Sequence, residues 1–105
     1  MRTFLIVGLM IGFASSAARA ADAKAGQAVY ERHCKGCHGP NGAAPANVAK
    51  FSNGQILDLR SSQVQSLSNA DLVKIVAAGK GKMRGDTTVV GKDLDDLIAF
   101  VHEIK

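Results

Sequence analysis

The chain has 105 residues, 47% hydrophobic but only 5% aromatic, with a formal net charge of +4. That length fits one small domain, which buries little surface for its size and calls for a disulfide, a metal or a cofactor to complete its core. The positive residues are not interleaved with aromatics and no recognised binding motif is present, which excludes nucleic acid as the natural partner.

The chain opens with "MRTFLIVGLMIGFASSAARA": Arg2, an apolar run from Phe4 to about Ala14, and small residues ending in Ala18, Arg19 and Ala20. This is the order of a secretory signal peptide, and its apolar run is too short to span a bilayer. Cleavage is expected after Ala20, giving residues 1–20 as signal and 21–105 as one soluble, exported domain. Arg2 and Arg19 leave with the signal, so Lys plus Arg falls from 13 to 11 against nine Asp plus Glu. The basicity of the whole chain is thus partly that of a discarded segment. A local cluster remains in "GKGKMR", residues 79–84.

The first helical periodicity runs from about Ala23 to Cys37, with Gly26, Val29, Tyr30 and His33 on one face. The following stretch, 39–65, is rich in Gly, Pro, Asn and Ser and reads as a loop with one short helical turn. A second helix is expected near Ala70 to Ala78, capped by Ser68 or Asn69 and ended by Gly79. A third is expected from about Asp93 to Ile104, with Leu94, Leu97, Ile98, Val101 and Ile104 as its apolar stripe and acids at its start. No alternating strand pattern competes, so the fold class is all-α.

Inside the first helical stretch lies "ERHCKGCHGPNG". Cys34 and Cys37 are three residues apart and His38 is four from Cys34, so a helix places all three on one face. Two thiols at that spacing can bond the two vinyl groups on one side of a porphyrin while the adjacent imidazole reaches the iron. C-x-x-C-H is the attachment signature of c-type haem. The competing readings are weaker. A Cys34–Cys37 disulfide closes a tiny loop, a thioredoxin-like dithiol belongs beside a βαβ unit, and a zinc site lacks a second C-x-x-C.

The mature chain resembles a small bacterial class I monohaem cytochrome c over nearly its whole length. "AGQAVYERHCKGCHG" is similar to that family's first helix and haem motif, "LVKIVAAGKGKM" to the helix and loop that deliver its methionine ligand, and "LDDLIAFVHEI" to its C-terminal helix. The resemblance implies three main helices and loops wrapped around one covalently bound haem c. It also implies that Cys34 and Cys37 carry the thioethers, that His38 is the proximal iron ligand, and that the first and last helices cross where Gly26 allows close approach, with Tyr30 near Leu97 and Phe100. Met83 is the expected sixth ligand. It is the only methionine left in the mature chain, and its Gly and Lys neighbours make a poor setting for a core side chain. The family usually has proline next, where this chain has Arg84.

His33 and His102 read as surface residues. Pro45 is the candidate carbonyl partner of the His38 ring, and Lys50, Arg60, Ser61 and Ser62 are candidates to hold propionates. With both axial positions filled by protein, the expected function is that of a periplasmic electron carrier, not an enzyme. Its redox partners would dock at a haem edge framed by Lys35, Lys80, Lys82 and Arg84, with the chain monomeric and without a transmembrane anchor. The alternatives are a haem enzyme or gas sensor with an open or labile sixth site, and a haem-free C-x-x-C thiol oxidoreductase.

Overall fold

The structure, a computed structural model, describes residues 20–52 and 58–104. The expected signal segment up to residue 19 and loop positions 53–57 lie outside the described residues. The elements are α1 (Ala23–His33), α2 (Lys35–His38), α3 (Ala46–Phe51), α4 (Ser62–Gln65), α5 (Asn69–Ala78), β1 (Gly79–Lys80), β2 (Met83–Arg84) and α6 (Gly91–Glu103). The chain is mostly helical, as expected.

Local chemistry sets the helix limits. The Asp22 side chain accepts from the Lys24 and Ala25 N–H groups and opens α1, and Ser68 does the same for α5 through the Asp71 N–H. Gly79 ends α5 at φ 80°, in the left-handed region that favours glycine.

Three features differ from the sequence reading. The first helix is interrupted at Cys34, where φ is −120°. Helical hydrogen bonding nevertheless passes through the corner, since the Cys34 N–H donates to the Tyr30 carbonyl at 2.8 Å and the His38 N–H to the Cys34 carbonyl at 2.9 Å. The central loop holds two short helices, not one turn. α3 starts at the Pro45 carbonyl, which accepts from the Val48 and Ala49 N–H groups, and α4 starts at Ser61, whose side chain accepts from the Val64 N–H. The third difference is an antiparallel ribbon in which Gly79 faces Arg84 and Lys80 faces Met83. Its two-residue turn places Gly81 at φ 59°, a conformation that glycine reaches without strain.

The core forms where α1 packs on α6. Val29, Tyr30, Val89, Leu97 and Ile104 are buried together, with Cys34, Leu59, Val76 and Phe100 against them. The contact is close because Gly26 lies against the backbone of α6, where an added Cβ would sit 1.8 Å from the Asp96 carbonyl oxygen. Tyr30 packs on Phe100 with ring centroids 5.1 Å apart, and its hydroxyl donates to the Gly39 carbonyl just after the C-x-x-C-H turn. A second cluster of Val64, Leu72 and Ile98 joins α4 and α5 to the other side of α6. Gln65 ties the loop to this frame by donating to the carbonyls of Leu59 at 2.7 Å and Val101 at 2.8 Å.

Candidate haem site

The rigid α1–α6 pair presents the C-x-x-C-H turn at the end of α1. Cys34 is half-buried and Cys37 exposed, and both are free thiols. Burial pushes the Cys34 thiol up to about 11, with the Asp86 carboxylate and Cys37 adding to the shift. An attacking thiol in dithiol exchange needs an accessible sulfur that ionises near ambient pH, so this environment counts against Cys34 in that role. No group of three His, Cys, Asp or Glu side chains converges to hold a metal ion among the described residues, so the zinc reading gains no ligand set.

His38, on α2, is the side chain best prepared for a metal. Burial lowers its pKa from the ordinary histidine value, which favours the neutral imidazole with one lone pair to give. Its Nδ1 is buried without a hydrogen-bond partner. Such an atom is rare in a finished core and marks a ring whose surroundings are incomplete. The expected Pro45 contact is not formed: that carbonyl is engaged at the start of α3.

Met83 lies half-buried on β2. The ribbon that carries it is fastened beside the C-x-x-C-H turn. Past β2, the Asp86 N–H donates to the Val76 carbonyl of α5 at 2.7 Å. The Asp86 carboxylate accepts from Nδ1 of His33, the last residue of α1, at 2.9 Å. This tie brings the Asp86 carboxylate near enough to the motif to raise the Cys34 thiol. In the ribbon's turn, the Lys82 ammonium donates to the Phe51 carbonyl at 2.9 Å and lies 4.6 Å from the centre of the Phe51 ring.

Two thiols on one corner, a half-buried imidazole with an orphaned buried nitrogen, and a thioether on the adjoining ribbon form a donor set that fits a c-type haem. Other candidate residues have partners within the fold. Arg60 forms a two-pronged pair with Asp58 at 2.7 and 3.0 Å, and Ser61 caps α4, so both already have structural partners. His102 is half-buried, with Nε2 3.2 Å from the Leu67 carbonyl, and is not simply solvated. His33 is exposed, as expected, but bonded. Lys35, Lys80, Lys82 and Arg84 are all exposed.

Sequence reasoning missed Asp86. Its Oδ1 accepts from the Thr88 N–H at 2.9 Å, a turn legible in "GDTT". Its partner His33, 53 residues away, is not legible there.

The comparisons with known proteins bear on the family and the fold. The family model described as "Cytochrome C oxidase, cbb3-type, subunit III" matches residues 21–101. Among solved structures, the fold is similar to that of "KustC0563 c-type cytochrome". The TM-score is 0.64 at 19% identity, covering 76% of this chain and 96% of that one. No curated protein matches the sequence. The chain belongs to the family of that matching model: it is a small c-type cytochrome domain, of a kind that binds haem covalently and transfers electrons through it.

Proposed function

We propose that the mature chain is a periplasmic carrier of one electron on a single haem c, attached through Cys34 and Cys37 and ligated by His38 and Met83. The observation that carries this reading is the half-buried His38 ring with its buried Nδ1. Its desolvation favours the neutral imidazole, its Nδ1 lacks a partner, and it ends a C-x-x-C-H motif in a chain whose only methionine downstream of residue 20, Met83, sits on a ribbon tied to the end of α1 through Asp86 and His33. The haem supplies a ferric–ferrous couple when bound. The protein's part is to hold both axial donors through the change of charge, so that little rearrangement accompanies electron transfer. The short helix α2 orients His38, and the Tyr30 hydroxyl fastens the backbone just beyond it at Gly39. The ribbon presents Met83, a soft donor that favours ferrous iron and raises the potential relative to bis-histidine ligation.

The test is protein exported together with haem-attachment machinery. Intact mass should correspond to a chain beginning at Ala21 plus one haem. The ferric form should be low-spin with the weak near-infrared sulfur-to-iron band, and the reduced form should resist carbon monoxide. Met83→Ala should abolish the band, lower the potential and admit carbon monoxide. Free thiols in the exported protein refute the attachment. A wild type that takes carbon monoxide as readily as Met83→Ala refutes the carrier reading and favours an open-site haem protein.

A further inference from the structure

The ribbon bearing Met83 is rich in glycine. Gly79, Gly81 and Gly85 fall within seven residues, and no proline follows Pro45 in the chain. Two backbone pairs and one return bond to Val76 hold it to α5. None of these fixes it relative to the C-x-x-C-H turn. Two side-chain ties run from it to other elements, one to α1 beside that turn and one to α3, and they fall on opposite sides of Met83. Upstream by one residue, Lys82 reaches the end of α3 through the Phe51 carbonyl and the face of the Phe51 ring. Downstream by three, Asp86 reaches His33, which precedes the first haem-attachment cysteine. Asp86 is itself set by the Thr88 N–H and hydroxyl, so its second oxygen is aimed at His33 before the two elements meet.

We propose that His33 and Lys82 are positioning residues for the sixth ligand: by tying the ribbon to α1 and to α3, they hold Met83 at the haem face opposite His38. This rests on the ligation proposed above and adds to it the means by which a glycine-rich loop keeps a weak iron–sulfur bond closed. The free energy of each tie is small because both are exposed. The equilibrium they bias is correspondingly local. Losing one should open the iron–sulfur bond while leaving the α1–α6 core intact.

The experiment uses the exported, haem-loaded protein and follows the near-infrared sulfur-to-iron band and far-ultraviolet helicity along one temperature ramp. In wild type the band should fade before the helices melt. His33→Ala and Lys82→Met should each raise the methionine-dissociated fraction about threefold at a fixed temperature, and the double variant by more. Helix melting should stay where it was, and His33→Asn, whose amide nitrogen matches the position of Nδ1, and Lys82→Arg should recover most of the band. Unchanged band loss in both single variants overturns the proposal, as does band and helix loss shifting together. A wild type with no such band, indistinguishable from Met83→Ala, overturns the ligation itself and the positioning role with it.

Discussion

Asp96 is a carboxylate at 2% exposure in a domain with very little buried polar surface. Burial of a charge is tolerable only when it is paired. Here the Asp22 N–H donates to Oδ1 at 2.7 Å, and the Lys92 ammonium, one helical turn before it, approaches both oxygens at 2.9 and 2.8 Å. The Asp22 amide and the Lys92 ammonium together hold the carboxyl below its ordinary value of 3.8. A group whose pKa is lower folded than unfolded stabilises the fold above the unfolded value, and that contribution is lost as pH falls through the folded one. Asp96→Asn keeps an acceptor for the Asp22 amide but removes the charge. It should therefore melt below wild type at pH 7, with the gap narrowing once pH drops under about 3.8. Melting curves across that range check this, and a gap that stays constant with pH refutes it. From sequence, "DLDD" reads as an acidic helix start. The spacing does not reveal that α6 begins at Gly91, which puts Asp93 in the first turn and rolls Asp96 into the contact with α1.

At the scale of elements, the α1–α6 contact sets where the C-x-x-C-H turn sits, and Gly26 is its closest point. An alanine Cβ there would lie 1.8 Å from the Asp96 carbonyl oxygen and 2.9 Å from the Leu97 nitrogen, against backbone on a helix that cannot yield locally. Gly26→Ala should therefore cost about 3 kcal/mol, at the upper end for overpacking. Leu97→Ala, which empties a site at 1% exposure, should cost about 2–5 kcal/mol. Denaturant unfolding of the haem-loaded protein measures both, and a neutral Gly26→Ala would mean that the helices sit farther apart. The two apolar faces were legible in sequence because they are periodic, through the spacing of Val29 and Tyr30 and of Leu97 and Ile104, while their crossing at Gly26 was an expectation that the family resemblance carried. The motif cysteines and His38 were legible because their chemistry is local. What periodicity could not supply was the ribbon, whose two-residue strands are too short to alternate, although Gly81 in "GKGK" marks its turn. Nor could it supply the ties made by Gln65 and Asp86, which depend on which loops the fold brings together.

At the scale of the molecule, charge is unevenly placed. With residues 1–20 removed the chain is close to neutral, yet Lys35, Lys80, Lys82 and Arg84 are exposed on the turn and ribbon that flank the proposed haem. Most exposed acids lie elsewhere, with Asp93, Asp95 and Glu103 along α6, and Asp86 beside the turn is paired with His33. Steering of an encounter depends on the potential at the point of approach more than on the total charge, so an anionic partner should be drawn to the haem edge despite the near balance. The Lys82 ammonium is already engaged with Phe51 and holds the ribbon, so it is a poor probe of steering. Lys35 and Lys80 serve better. Oxidation of the reduced protein by ferricyanide, an anion, should slow as ionic strength rises through the range where the screening length falls below about 10 Å. Oxidation by a cationic cobalt complex should quicken over the same range. Lys35→Glu with Lys80→Glu should flatten or reverse both slopes without moving the sulfur-to-iron band, which separates lost steering from a disturbed haem site. Equal salt dependence for the two oxidants, or slopes untouched by the double charge reversal, would mean that these lysines keep a loop hydrated and that partners approach from another side.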